Sequence, residues 1–431
     1  MYRESIISLK RWKENKFRKP LIVRGARQVG KTWLLKEFGR TEYDKLVYVN
    51  FEENPALQNM FTTDFSIERI ITALQIHAQT TITAENTLIV FDEIQSAERG
   101  VTSLKYFCEN APQYHVIAAG SLLRMGLHSQ VSFPVGKVDF LDLRPLSFFE
   151  FLLSLNESEL VNALREKKWS IISIFADKLK EYLRYFFYVG GMPEVVNAFA
   201  QTRDWQLVRQ IQSRILNSYE GDFSKHAPYD IVPRIRMVWK SIPSQLAKEN
   251  KKFIYGVLRE GARSKDFELA IQWLEDCGLL LKIHRVSKPG IPLAAYQEMS
   301  VFKLFLHDVG LLGAMAGLDV RTIIDGDEIF TEFKGALTEQ YVMQQLRLNN
   351  ERYIGYWTNN RSTSEVDFVI QEEGKTIPIE VKSGDNLRAK SFKLFCEKYK
   401  PSMAIRTSQA NYKEEEWMTN VPLYSIGEEN L

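Results

Sequence analysis

Short apolar segments alternate with amphipathic stretches over the first third of the chain. Four largely apolar segments predict strands at Leu21–Val23, Leu46–Asn50, Thr87–Phe91 and His115–Ala119. Helical patterns separate them, and continuous apolar strands that alternate with helices are typical of a parallel sheet covered on both faces. We therefore predict a parallel α/β domain over residues 1–144, which begins with an amphipathic helix over residues 1–19 that ends at Pro20.

The pattern becomes helical after Pro145 and mixed beyond residue 225. Residues 145–224 contain long helical patterns, interrupted by the break at Gly190-Gly191-Met192-Pro193. Residues 225–329 show shorter helices that end in a helix followed by a strand. Residues 330–431 show a helix, three strands, and then another helix and strand. The predicted fold class is therefore multidomain α/β, with three further regions after the first domain.

An octapeptide between the first strand and the next helix carries the first candidate chemistry. It is Gly25-Ala26-Arg27-Gln28-Val29-Gly30-Lys31-Thr32, which fits the pattern G-x-x-x-x-G-K-[ST] at every fixed position. The glycines let successive backbone N–H groups point inward at phosphates, and the helix adds its positive dipole end. Lys31 would contact the β- and γ-phosphates, and the Thr32 hydroxyl would bind Mg²⁺. This pattern predicts a phosphate-binding loop for ATP with Mg²⁺.

Two carboxylates follow the strand Thr87–Phe91 directly. Asp92 and Glu93 would lie at the carboxyl edge of the sheet, where open α/β sheets bind their ligands. We expect Asp92 to hold Mg²⁺ through water and Glu93 to act as the general base on the attacking water. Ser121, after the next strand, is a candidate sensor of the γ-phosphate. The alternative for Ser121 is an ordinary turn serine.

A second constellation of charged residues lies near the carboxyl end of the sequence. Glu365–Ile370 and Thr376–Lys382 predict a β-hairpin, and the alternation of side chains lets Asp367, Glu380 and Lys382 converge across it. Two carboxylates can bind Mg²⁺, and a lysine beside them can orient a water for attack on a phosphodiester. The alternative is a set of ordinary charges on the solvent face of the hairpin.

Several phrases together resemble the bacterial and archaeal AAA+-type ATPases that carry a C-terminal domain of unknown function. They are GARQVGKT, LIVFDEIQ, AAGSLL, DLRPLSFFEFL and YVGGMPEVV. The resemblance implies an AAA+ core over 1–144, a helical lid over 145–224, a winged-helix-like domain over 225–329 and a restriction-endonuclease-like domain over 330–431. The D…E-x-K pattern is similar to that of the PD-(D/E)xK nucleases, in which Glu339 would match an additional acidic residue.

The sequence departs from that family in its arginines. Gly136-Lys137 stands where relatives show Gly-Arg, and the phrase GGMPEVV contains no arginine. Arg124 and Arg144 are the remaining candidates for neutralising charge during hydrolysis, and packing or surface roles are the alternative for each. An arginine supplied by a neighbouring copy would require a homo-oligomer.

The middle region carries basic residues that could contact the phosphates of DNA. They are Lys248, Lys251, Lys252, Arg259, Arg263 and Lys265. Acidic residues are interleaved with them, so a solvated face of a packing module is the alternative.

Composition limits the function classes. The chain has 431 residues, 45% of them hydrophobic and 26% charged, with a net charge of +2, so nucleic acid would be bound by local patches. The three cysteines show no CxxC spacing, the N-terminus has no apolar signal segment, and no apolar run is long enough to span a membrane. A cytoplasmic protein is expected.

Our first hypothesis is an ATPase coupled to nucleic acid, and the alternative is a nucleotide-controlled switch that recognises a protein partner. The additional domains argue against a small-molecule kinase.

Overall fold

The computed structural model describes residues 2–120, 133–248, 251–321, 331–359, 364–384 and 389–427. The chain divides into two compact units. The N-terminal unit contains Tyr2–Arg144 together with Asp276–Gly278, and the C-terminal unit contains Pro145–Glu275 and Leu279–Leu431. The regions predicted as lid, winged-helix-like and endonuclease-like domains therefore belong to one compact unit. Ser121 and Arg124 lie outside the described residues.

A five-stranded parallel sheet forms the centre of the N-terminal unit. Its strands are β1 (Leu21–Arg24), β2 (Lys45–Asn50), β3 (Thr87–Asp92), β4 (His115–Ala119) and β5 (Asp139–Asp142). They lie in the order β2-β3-β4-β1-β5 and every pairing is parallel. The helices are α1 (Ser5–Glu14), α2 (Lys31–Glu42), α3 (Pro55–Gln58), α4 (Ile67–Ala78) and α5 (Gly100–Asn110). The predicted parallel α/β arrangement is confirmed.

Burial explains why continuous apolar segments form this sheet. Every residue of β3 is buried, as expected for a strand covered on both faces. Aromatic rings pack around it, with Phe91 in contact with Phe51, Phe61 and Phe107 at centroid distances of 5.7 to 6.0 Å. Helix α1 is shorter than predicted and ends before Pro20, with Leu9 and Trp12 buried.

The C-terminal unit begins with a long helical region. Its helices are α6 (Phe148–Ser154), α7 (Ser158–Arg165), α8 (Trp169–Ile174), α9 (Ala176–Val189), α10 (Pro193–Thr202), α11 (Trp205–His226), α12 (Val232–Leu246), α13 (Ser264–Asp276), α14 (Val309–Met315), α15 (Thr331–Leu346) and α16 (Lys390–Tyr399). None of the helices in the described part of the chain is long and apolar enough to cross a membrane.

An eight-stranded mixed sheet completes the C-terminal unit. Its strands are β6 (Leu280–Val286), β7 (Gln297–Leu306), β8 (Tyr353–Thr358), β9 (Glu365–Glu372), β10 (Lys375–Val381), β11 (Ile405–Ser408), β12 (Lys413–Glu414) and β13 (Thr419–Pro422). They lie in the order β12-β13-β11-β10-β9-β8-β6-β7. Because β6 pairs with β8, the β6–β7 hairpin of the middle region and the C-terminal strands share one sheet. The predicted boundary at residues 329 and 330 therefore does not separate two sheets.

The phrases DLRPLSFFEFL and YVGGMPEVV contact each other inside the C-terminal unit. The Leu146 N–H donates to the Gly191 carbonyl at 2.7 Å, and the Gly191 N–H donates to Asp308 Oδ2 at 2.6 Å. Gly190 has φ +72°, and a Cβ on Gly191 would lie 2.2 Å from the Leu146 carbonyl oxygen. Glycine is therefore required at this crossing, which gives both phrases a structural role.

Candidate functional site

The predicted phosphate-binding loop connects β1 to α2 in a conformation that needs its glycines. Gly25 has φ +150°, and a Cβ there would lie 2.3 Å from the Leu143 carbonyl oxygen. Gly30 has φ +91° and is the N-cap of α2, so it offers no side chain to cap the first N–H groups of that helix. An uncapped helix N-terminus behind a curled glycine loop is a site that favours an anion.

The Lys31 side chain is held inside this loop. Its ammonium group donates to the Gly25 carbonyl at 3.0 Å and to the Ala26 carbonyl at 2.9 Å. Burial lowers the pKa of Lys31 to about 8, although Glu93 and Asp92 favour its charged form. The amine therefore lies among loop carbonyls, at the position from which it can contact a bound phosphate.

The carboxylate of Asp92, at the end of β3, accepts hydrogen bonds from α2 and from β2. The Thr32 hydroxyl donates to Asp92 Oδ2 at 2.7 Å, and the Tyr48 hydroxyl donates to the same oxygen at 2.7 Å. Burial and the contact with Asp92 raise the pKa of Tyr48, so its phenol stays protonated. The two residues predicted to bind Mg²⁺ therefore lie side by side.

Tyr48 is a site residue that the sequence analysis missed. It alternates along β2 with the buried Val47 and Val49, so its side chain lies on the opposite face of that strand. The Lys36 ammonium lies 4.1 Å from the centre of its ring. The available signal was a hydroxylated aromatic on the strand that pairs with β3.

Glu93 occupies a bend at the end of β3. Its φ is +49°, which is uncommon for a residue other than glycine, and its N–H donates to Asp92 Oδ1 at 3.1 Å. The Gln95 amide donates to Glu93 Oε2 at 2.5 Å and fixes the carboxylate. Burial raises the pKa of Glu93. A raised pKa brings a carboxylate closer to the working range of a general base.

Strand β4 lies between the loop strand and the Asp-Glu strand. Its last residue, Ala119, pairs with Val23 of β1 on one side and with Asp92 of β3 on the other. Ser121 follows two residues later, outside the described residues. Lys137, which stands where relatives show arginine, forms a surface ion pair with Glu109 at 2.9 Å.

The predicted C-terminal residues come together, but in a more buried setting than expected for a solvent face. Asp367 Oδ2 accepts from the Val381 N–H at 2.8 Å, and the Lys382 ammonium lies 2.7 Å from Glu380 Oε1. Glu380 is 6% exposed and Glu339 is 7% exposed. The reading of Glu380 as an ordinary solvent-face charge is therefore wrong.

Two lysines that the sequence analysis did not assign to this cluster also enter it. Lys303 of β7 is fully buried and donates to Glu365, and its Nζ lies 3.8 Å from Glu339 Oε2. Lys251 donates to the other oxygen of Glu339. Lys251 was one of the residues that could contact DNA phosphates, and the structure pairs its ammonium with Glu339 inside the unit.

Burial and charge act against each other on the pKa values of this cluster. Burial disfavours the charged form of Lys303, but Glu365, Glu339 and Asp367 outweigh it and raise the pKa of Lys303. Burial likewise opposes ionisation of Glu339, but Lys251 and Lys303 outweigh it and lower that pKa. Burial, Glu339 and Glu380 raise the pKa of Asp367. Within the described residues, no group of three or more His, Cys, Asp or Glu side chains is placed to hold a metal ion.

Comparisons with known proteins give the N-terminal region a family. Residues 17–152 match the family described as AAA domain. Residues 180–322 and 334–426 each match a domain of unknown function, DUF8612 and DUF4143 respectively. No curated protein matches the chain at a significant level.

Two solved structures are loosely similar to this chain. A Walker-type ATPase of Pyrococcus abyssi is 13% identical, covers 73% of this chain and 95% of its own, and has a TM-score of 0.45. The Orc1 protein of Aeropyrum pernix in complex with DNA is 12% identical over 74% of this chain and 93% of its own, with a TM-score of 0.28. These scores are too low to carry an argument. The family match, the parallel sheet and the loop together identify the N-terminal region as a P-loop ATPase domain of the AAA type.

Proposed function

We propose that this protein hydrolyses ATP in the presence of Mg²⁺ at the loop Gly25–Thr32. The observation that carries the proposal is the contact between the Thr32 hydroxyl and Asp92 Oδ2 at 2.7 Å. A hydroxyl at the start of a helix and a carboxylate at a strand end are the pair with which P-loop NTPases hold Mg²⁺. Their position beside an uncapped helix N-terminus fits a triphosphate with its metal.

Each residue of the site has a separate task in this proposal. Thr32 and Asp92 would hold Mg²⁺, which supplies neutralising charge to the phosphates when bound. Lys31 exchanges its contacts with the Gly25 and Ala26 carbonyls for phosphate oxygens. The backbone N–H groups at the start of α2 bind the same phosphates.

Glu93 is the proposed acceptor of the proton from the attacking water. Its carboxylate is fixed by Gln95 and is separated from Asp92 by the bend in the backbone, so the two acids can take different roles. Burial raises the pKa of Glu93, which strengthens it as a base while it is ionised. Ser121, beyond the end of β4, is proposed as the contact that senses the γ-phosphate.

The second element of the proposal is coupling of this turnover to nucleic acid through the C-terminal unit. Lys252, Arg259, Arg263 and Lys265 are exposed between α12 and the first turn of α13. A local basic surface of this kind suits a phosphate backbone, whereas the net charge of +2 gives no global attraction. A nucleotide-controlled switch that recognises a protein is the second candidate, and the pairing of the C-terminal carboxylates with lysines favours it.

ATP turnover measured with and without DNA separates the two candidates. Coupling predicts that duplex or single-stranded DNA raises the turnover rate, and that rising salt removes the effect. Lys252→Glu with Lys265→Glu should weaken the stimulation and leave the rate without DNA unchanged. Lys393→Glu with Lys398→Glu, an equivalent pair of charge reversals at exposed positions of α16, serves as the control. Turnover that never responds to DNA or RNA would favour the switch.

A further inference from the structure

The carboxylate cluster of the C-terminal unit already contains cations from its own chain. Lys303 reaches Glu365 of β9 from β7, although β6 and β8 lie between these strands in the sheet. Its side chain is fully buried, and its Nζ lies 4.7 Å from the centre of the Tyr356 ring. A lysine with no exposure and a carboxylate partner is a fixed part of the interior.

Glu339 faces a lysine with each of its oxygens. Lys251 donates to Oε1, and Lys303 Nζ lies 3.8 Å from Oε2. Oε2 is buried and receives no hydrogen bond, and among the described residues Lys303 is the lysine that lies within ion-pair distance of it. The carboxylate that would complete a metal site is thus turned toward two ammonium groups.

Charge counting gives the same picture. Four carboxylates interact electrostatically here, on Glu339, Glu365, Asp367 and Glu380, and three ammonium groups pair with them, on Lys251, Lys303 and Lys382. A divalent cation among these carboxylates would be repelled by ammonium groups a few ångströms away in a medium of low dielectric. Metal sites built from carboxylates depend on having this negative charge uncompensated.

We propose that Lys303, assisted by Lys251, occupies the place of a divalent metal ion, so that the natural protein neither binds a metal at Asp367 and Glu380 nor cleaves phosphodiesters there. The cluster instead joins the β6–β7 hairpin and α15 to the C-terminal strands. The ion pairs of Lys303 compensate part of the negative charge of the buried carboxylates around it.

Titration of the full-length protein with Mn²⁺ tests the proposal. Every variant carries Asp92→Asn, so that the ATP site contributes as little metal binding as possible. The protein with Asp92→Asn alone, the parent of the other variants, should bind no Mn²⁺ at Asp367 and Glu380. Lys303→Met, which keeps the length of the side chain and removes its charge, should create Mn²⁺ binding at least about tenfold tighter than any binding seen without this change. Adding Asp367→Asn should remove the gain, and Lys282→Met on the adjacent strand β6 should produce none.

Either of two results of the Mn²⁺ titration would overturn the proposal. One is Mn²⁺ binding by the parent protein that Asp367→Asn or Glu380→Gln abolishes. The other is a folded Lys303→Met protein that gains no Mn²⁺ binding. If Lys303→Met does not fold, the parent protein compared with Asp367→Asn and Glu380→Gln decides alone. Metal-dependent nicking of DNA by the natural protein, lost in Glu380→Gln, would also contradict the proposal.

Discussion

Thr32 at the start of α2 and Asp92 at the end of β3 share a hydrogen bond of 2.7 Å across sixty residues of sequence. The contact places the two proposed ligands of Mg²⁺ side by side. Each side chain is held by its own element, Thr32 by the first turn of a helix and Asp92 by a fully buried strand. Two regular elements therefore fix these two side chains relative to each other, which lowers the cost of ordering them around a ligand.

Removal of the Thr32 hydroxyl should stop turnover while leaving the fold intact. Thr32→Val keeps the shape of the side chain but loses the oxygen that binds the metal, so we expect kcat to fall about 100-fold or more. Thr32→Ser keeps the oxygen and should stay within about threefold of the natural rate. Phosphate release at saturating Mg²⁺ measures both. Equal loss in the two variants would show that the hydroxyl is not the group that matters.

Tyr48→Phe should raise the Mg²⁺ concentration needed for half-maximal turnover. The change removes one of the two hydroxyls that hold Asp92 Oδ2. A hydrogen bond to a charged group contributes about 2 kcal/mol, so an increase of roughly thirtyfold is expected. Tyr43→Phe is the matched control, because the Tyr43 hydroxyl contacts His115 at 2.6 Å and no residue of the site. A Mg²⁺ requirement unchanged in Tyr48→Phe would remove Tyr48 from the site.

Gly191→Ala should destabilise the C-terminal unit. Its added methyl group would lie 2.2 Å from the Leu146 carbonyl oxygen. This oxygen belongs to the backbone, so relief of the clash would disturb the hydrogen bond between Leu146 and Gly191. We expect the free energy of unfolding, measured in urea, to fall by about 3 kcal/mol. Gly221→Ala in α11 has no atom within 4 Å of the new carbon and should raise it by about 0.5 to 1 kcal/mol. Equal changes in the free energy of unfolding in Gly191→Ala and Gly221→Ala would contradict a structural role for the contact between Gly191 and Leu146.

Asp308 should make stability depend on pH between about 4 and 6. Burial raises the pKa of Asp308 to about 6 in the folded protein, although N–H donors from Gly191 and Leu311 pull it back. The folded state then keeps the proton to higher pH than the unfolded chain, so the free energy of unfolding falls as the pH rises through this range, by about 3 kcal/mol in total.

Asp308→Asn removes this titration and provides the comparison. The variant loses an acceptor for the Gly191 and Leu311 N–H groups, so it should be less stable than the natural protein at pH 4. The difference in the free energy of unfolding between the two proteins should narrow as the pH rises to 7. A difference that stays constant from pH 4 to pH 7 would contradict the raised pKa.

Local sequence patterns predicted those parts of the site whose residues are contiguous in the sequence. The loop Gly25–Thr32 and the pair Asp92-Glu93 could be found because their geometry follows from neighbouring residues on a strand and a helix. The parallel strands could be found because burial on both faces requires continuous apolar residues.

Contacts between distant segments could not be found in this way. Tyr48 of β2 donates a hydrogen bond to Asp92 of the paired strand β3. Lys303 of β7 donates to Glu365 of β9, although β7 and β9 are not neighbours in the sheet. The signal for Lys303 was a single lysine in the apolar run Val301–Leu306, which indicates a buried charge but not its partner. The Gly190-Gly191 phrase lies in the region predicted as a lid, and its packing against Leu146 and Asp308 could not be found from the sequence.

Steady-state hydrolysis of ATP by the natural protein, Glu93→Gln and Lys31→Ala is the most direct test of the central claim. Mg²⁺-dependent turnover is expected in the natural protein. Glu93→Gln should still bind ATP but turn it over about 100-fold more slowly or worse, because the proton acceptor is lost. Lys31→Ala should lose both binding and turnover. Hydrolysis that persists at the natural rate in Glu93→Gln or Lys31→Ala would contradict the claim that this loop and this carboxylate hydrolyse ATP.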